Sequence, residues 1–119
     1  MNRDILLQLS DIGKIDINLT LDRFLGNEGL YGKFLLKFLD DQSFENIKKS
    51  VEAGNFSELT MYVHTMKGVA GNLGLQNLLD ILSPMMNSLR NGKTDNIEEY
   101  LDNLSVQYDA ICSVIQKLK

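Results

Sequence analysis

From residue 18 to the C-terminus, apolar residues recur every three or four positions, the period of an amphipathic helix. Proline occurs once, at Pro84, and the β-branched and aromatic runs that strands need are missing. The pattern predicts a short helix over Leu19–Leu25, stopped by Gly26-Asn27. A longer helix follows over about 28–53, carrying Leu30, Phe34 and Phe38 and then Phe44, Ile47 and Val51. Asp40-Asp41-Gln42-Ser43 kinks or splits it, and Gly54-Asn55 ends it.

A third helix is predicted from about Phe56 to Leu73, capped by either Ser57 or Asn55. Leu59, Val63, Met66, Ala70 and Leu73 make one stripe that faces a core. The fourth, over about 75–90, carries Leu75, Leu78, Leu82, Met85 and Leu89. Pro84 should bend it, since proline removes one backbone donor and clashes with the preceding turn. After the Asn91-Gly92 turn the last helix opens at Thr94 or Asp95, with Asp95-x-x-Glu98 resembling a capping box. Its stripe is Ile97, Leu101, Leu104, Tyr108, Ile111, Ile115 and Leu118.

The expected fold is therefore all-α: an antiparallel up-down-up-down four-helix bundle with an additional short N-terminal helix. Residues 1–14 read as an N-terminal extension and 15–119 as the bundle domain. The short helix and the extension should cap one end or pack along a side.

A length of 119 residues suits one core. The 44% hydrophobic and 24% charged content is ordinary for a soluble domain. No apolar run approaches the roughly 18–20 residues that span a bilayer, so membrane insertion is not expected. The N-terminal MNRDILLQLSDIGK is broken by Asp4 and Asp11 and has no small-residue cleavage site, unlike a secretory signal. Cys112 is alone, which excludes an internal disulfide and points to the cytoplasm. A net charge of −4 with scattered basic residues argues against nucleic acid as partner. Lys48-Lys49 reads as a solvated helix face.

The one histidine changes the picture. His64 lies about 100° around the third helix from Val63, off the core stripe. Its neighbours on that face are Thr60 at i−4, Lys67 at i+3, Gly68 at i+4 and Gly71 at i+7. A lone histidine is more often a surface or capping residue than a site, and small helical residues often mark close helix–helix packing. Yet each glycine on a solvated face costs about 1 kcal/mol relative to alanine, so this pair requires a reason. Imidazole is nucleophilic when neutral near pH 7. Lys67 would neutralise a phosphoryl group on that ring, and the two glycines would clear space for a partner's reactive group.

The run His64-Thr65-Met66-Lys67-Gly68-Val69-Ala70-Gly71-Asn72-Leu73-Gly74 resembles the signature of histidine-containing phosphotransfer (HPt) domains of bacterial phosphorelays. The usual pattern is His-x-Leu-Lys-Gly-x-Ala-x-Asn-Leu-Gly, from which Met66 departs mildly. Leu21-x-Arg23-Phe24-x-Gly26-Asn27-x-x-Leu30-Tyr31, then Phe34-Leu35-x-x-Phe38, match the family's first helices, and Ala53-Gly54-Asn55 its turn before the histidine helix. The resemblance covers roughly residues 15–92 by motif and the last helix by pattern.

It implies a phosphocarrier: His64 accepts a phosphoryl group at Nε2 from a receiver-domain aspartate and passes it to another, with Lys67 stabilising charge and Gly68 exposing the ring. The partners implied are receiver domains of a hybrid sensor kinase or a response regulator, which would supply the Mg²⁺. Thr60, Gly68, Gly71 and Leu75 are expected at the partner surface. With no glycine-rich nucleotide motif and no room for an ATP-binding domain, no autokinase activity is expected. One departure is notable: family members often carry a Glu near where Met85-Met86 stand here, so these methionines read as core filler ahead of a docking patch. Asn72 and Gln76 are candidates for hydrogen bonds near the site. A monomer is the simplest assembly. The alternatives are a non-catalytic adaptor that binds a receiver-like partner, and, more weakly, a metal-binding bundle, for which one His and one distant Cys make no ligand set.

Overall fold

Side-chain caps and left-handed turns divide the chain into helices. In the computed structural model, which describes residues 1–119, these are α1 (Arg3–Gly13), α2 (Ile17–Asp22), α3 (Glu28–Phe38), α4 (Ser43–Ala53), α5 (Phe56–Leu73), α6 (Gln76–Arg90) and α7 (Ile97–Ile115). A 3-10 turn at Gln116–Leu118 follows, and there is no strand. Asn2, Asp16, Asn27 and Asn55 each accept a first-turn backbone N–H through the side chain, satisfying donors that have no partner within the helix. Gly54 and Gly74 end α4 and α5 with φ of 64° and 73°, where a Cβ would be strained.

Several boundaries differ from the sequence expectation or choose between its alternatives, each for a local reason. Asp16 caps α2 early, so that helix covers Ile17–Asp22, and residues 23–26 form turns. Of the kink or split expected at Asp40–Ser43, the split occurs: the Asp41 carboxylate accepts the Ser43 N–H at 2.8 Å and starts a new helix there. Asn55, not Ser57, caps α5. Leu75 precedes α6 and is its N-cap residue. The capping box at Asp95 does not form: the Ile97 N–H bonds the Thr94 carbonyl at 3.3 Å, placing Asp95 inside a turn, and α7 begins after Asn96 without a side-chain cap.

The buried stripes meet in one core. Leu59, Val63, Met66, Ala70 and Leu73 of α5 are all buried, as the spacing requires. α5 packs between α4 and α6, and α6 packs on α7. Met85 and Met86 are fully buried core residues and offer no docking patch. α6 continues through Pro84, which faces solvent. No helix is long and apolar enough to cross a membrane.

α1 packs along the side of the bundle, against α7 and α6. Leu6 and Leu9 are its buried residues that face inward, and a Cβ on Gly13 would meet the Ile111 side chain at 3.1 Å. Lys14 pairs with Asp80 at 3.3 Å, and Lys117 donates to Gln8 at 2.7 Å. The Gln76 amide, with Lys14, holds the Asp80 carboxyl below the usual carboxylate range.

Two tyrosines knit the ends of the core. The buried Tyr31 hydroxyl donates to the Leu73 carbonyl at 2.7 Å, at the end of α5. The Tyr108 ring stacks on Phe44 at 4.1 Å. Burial pushes both phenols well above their ordinary value; Arg23 opposes the shift at Tyr31, while the nearby Cys112 adds to it at Tyr108. Burial also raises the Cys112 thiol. With folded values above the unfolded ones, the stability the two phenols contribute is fully present below about pH 10 and is lost as pH rises through their folded values. Of four tyrosines, these two are expected to resist ionisation until the helices melt. Parallel tyrosinate absorbance and circular dichroism titrations check this; ionisation of all four before any loss of helix would contradict it.

Candidate functional site

α5 positions the site because its buried stripe fixes the rotation of every other residue on it. His64 is the ninth of its 18 residues and faces solvent about midway along the helix. The same face presents Ser57, Thr60, Met61, Lys67, Gly68 and Gly71, by the 100° step between residues. Lys67 is the one charged side chain among them. The ion pairs in the structure are Lys14–Asp80 and Lys48–Glu45, so the Lys67 ammonium is unpaired and one turn from the imidazole.

The glycines decide between the two explanations of this face. If Gly68 and Gly71 served helix packing, an added Cβ would strike a neighbour, as it does at Gly13. At both positions an ideal Cβ meets nothing within 4 Å. Packing therefore gives no reason for either glycine. The helix forgoes about 1 kcal/mol at each to leave this strip bare.

Other expected site residues divide. Thr60 is half-buried on the His64 face, its hydroxyl donating to the Phe56 carbonyl at 2.8 Å. Leu75 is 0% exposed, packed into the core at the α5–α6 turn, and so cannot line a partner surface. The exposed apolar residue beside His64 is instead Met61, 53% exposed at i−3. The i−3 rule marks it from sequence, whereas Leu75 lies past the end of the helix, where the rule fails. Gln76 donates its amide to Asp80 at 2.8 Å. Asn72 faces solvent beside Phe34, Lys37 and Val69 in the groove between α3 and α5, while its carbonyl receives Arg23.

Arg23 has a definite task. Its guanidinium donates to the Gly71 carbonyl at 2.7 Å and reaches the Asn72 carbonyl at 3.4 Å. These are carbonyls of the last turn of α5, which carry the negative end of the helix dipole; the Gly71 carbonyl also accepts the Gly74 N–H that closes the helix, at 3.3 Å. The arginine thereby ties the turn after α2 to the end of the histidine helix. Its place in the motif was visible in sequence; its target was not.

No group of three His, Cys, Asp or Glu side chains is placed to hold a metal ion. The arrangement is that of an accessible nucleophile beside one cation, on a face cleared of side chains.

Comparison with known proteins identifies a family. A family model described as Hpt domain matches residues 35–117, a span that contains His64, Lys67, Gly68 and Gly71 and leaves α1, α2 and the start of α3 outside. No curated protein matches the chain, and no solved structure does.

Proposed function

The chain belongs to the Hpt domain family, and from that premise we propose that it is a phosphocarrier whose His64 exchanges a phosphoryl group with receiver-domain aspartates. The family's place in two-component signalling makes receiver domains the partners. The observation that carries the reading is the bare strip: an exposed imidazole flanked by two glycines that internal packing does not require.

The transfer balances without a further reactant. The lone pair of the neutral ring at Nε2 attacks phosphorus as the bond to the aspartyl oxygen breaks, and the receiver carboxylate leaves. The ring keeps its Nδ1 proton and the positive charge until solvent removes that proton. Lys67 sits where it can offset charge on the phosphoryl oxygens, so positioning and electrostatics supply most of the catalysis. The receiver brings the Mg²⁺ and its carboxylates. Return transfer to a second receiver is the same step reversed.

In this reading α3 with α4, α5, α6 and α7 form the antiparallel up-down-up-down bundle, joined by short connections. The protein works in the cytoplasm as a monomer, serving a hybrid sensor kinase, a response regulator or both, and does not phosphorylate itself from ATP. Incubation with a receiver phosphorylated on its aspartate should label the chain with an acid-labile, base-stable phosphoryl group, the signature of phosphohistidine. A chain that binds receivers yet takes no label from any of them would be an adaptor instead.

A further inference from the structure

The last two turns of α5 cannot rely on their own sequence to stay helical. Gly68 and Gly71 both fall there, and glycine is the poorest helix former after proline. Helices fray from their ends, where the last four carbonyls have no partner one turn further on. The strip beyond His64 is therefore bare and weak in its backbone for the same reason.

The four carbonyls find partners from two sources. The left-handed turn at Gly74 supplies its own: the Leu75 N–H bonds the Ala70 carbonyl at 2.9 Å and the Gly74 N–H bonds that of Gly71 at 3.3 Å. The others come from outside the helix. Arg23 donates to the Gly71 carbonyl at 2.7 Å and reaches that of Asn72 at 3.4 Å, while the buried Tyr31 hydroxyl donates to that of Leu73 at 2.7 Å. Thr20 of α2, also buried, sits against the same turn, where a Cβ on Gly74 would strike its side chain. The base that carries Arg23 is itself closed by hydrogen bonds: the Leu25 N–H to the Asp22 carbonyl at 3.2 Å and the Gly26 N–H to that of Leu21 at 2.9 Å. Next to Arg23, the buried Phe24 ring lies 5.1 Å from Tyr31 and 5.4 Å from Phe34.

We propose that Arg23 is a positioning residue for phosphoryl transfer: together with Tyr31 it clamps the glycine-bearing end of α5 in the helical form that a receiver domain must meet. This rests on the phosphocarrier reading above. Gly71 lies seven residues, or about 10 Å, along the helix from His64. A standard interface of about 800 Å² per partner spans a disc of about 16 Å radius, so a receiver centred on His64 extends over the clamped turn. With the clamp in place that turn is ordered before docking. Without it the receiver must order the turn as it binds, and the cost appears as weaker docking. His64 lies ahead of the clamped turn, so the chemical step in the docked complex changes little.

The test compares wild type with Arg23→Gln, which shortens the side chain and removes its charge, and Tyr31→Phe, which removes one hydroxyl and no charge. Amide hydrogen exchange of residues 71–75 should quicken at least about tenfold in R23Q, and by more than that of residues 59–66. Transfer is measured from whichever purified, phosphorylated receiver domain labels wild type fastest, at a temperature where circular dichroism shows all three proteins fully folded. R23Q should raise KM for that receiver roughly tenfold, as the loss of a hydrogen bond from a charged group implies, and Y31F roughly threefold. Both should keep kcat near wild type and react with phosphoramidate, which does not dock, at the wild-type rate. A purely stabilising role leaves KM at its wild-type value in the folded variants, and that result overturns the proposal while leaving the phosphocarrier reading intact. Unchanged exchange at residues 71–75 in R23Q also overturns it, since the helix end then holds itself. A rise in KM in R23Q with wild-type KM in Y31F assigns the effect to the charge of Arg23 and refutes the clamp. Failure of wild type to accept label from any receiver removes the phosphocarrier premise, and the positioning role with it.

Discussion

Replacing His64 by Gln is expected to reduce labelling from a phosphorylated receiver to background, a loss of at least about a thousandfold, with the fold untouched. The chain has one histidine, so no second imidazole can take over the nucleophile's place. The remaining binding face is intact in this variant, but binding without the nucleophile transfers nothing. His64 is exposed and lies off the buried stripe, and glutamine is a good helix former. Stability should therefore stay within about 0.5 kcal/mol of wild type. The measurements are labelled-phosphate transfer over a time course and thermal unfolding by circular dichroism. Residual labelling near the wild-type rate would place the phosphoryl group elsewhere and end the assignment. Co-sedimentation of H64Q with the receiver adds a separate readout: retained binding with lost transfer distinguishes a chemical role for the ring from a docking role.

What the sequence made legible follows from where local chemistry governs. The α5 stripe was readable because burial and helical period agree at all five positions from Leu59 to Leu73. The exposure of His64 followed from the same arithmetic. Boundaries were less legible, since they depend on competing side-chain hydrogen bonds: Asp41 splits a helix that hydrophobic spacing would continue, and Asp95 falls into a turn instead of capping α7. Leu75 was misplaced because helical spacing was extended past Gly74, where the left-handed turn folds the next residue into the core. Contacts between distant segments were hidden altogether. Nothing local to Arg23 announces a bond to a carbonyl 48 residues away, and nothing local to Leu25 announces its positive φ. Phosphoryl chemistry came from the likeness to a family, while the structure removes packing as the reason for the glycines, and access to His64 is the reason proposed in its place.

That reason can be tested against the most common alternative, close helix packing, because the two explanations predict opposite signs. Gly68→Ala should stabilise the protein by about 1 kcal/mol, since alanine is the better helix former and the added Cβ meets no neighbour. In a domain of this size that raises the unfolding midpoint by about 4 °C. Gly68→Leu should also fold, and at least as stably as wild type. Its effect on transfer should be severe. Helical Cβ bonds tilt toward the N-terminus, so a side chain at i+4 leans over residue i. A leucine at position 68 therefore covers the His64 ring from the direction a receiver must approach. A misplacement of about 1 Å in a group-transfer geometry costs on the order of a hundredfold, so transfer from the receiver should fall by at least that much. Phosphoramidate, a small donor that reaches imidazole without docking a protein face, should lose far less. A destabilised Gly68→Ala would restore the packing explanation, and wild-type transfer by Gly68→Leu would show that the bare strip is not what a receiver needs. A stable Gly68→Leu protein that still reacts with the small donor and not with the receiver locates the function of this face in access to His64, not in the imidazole alone.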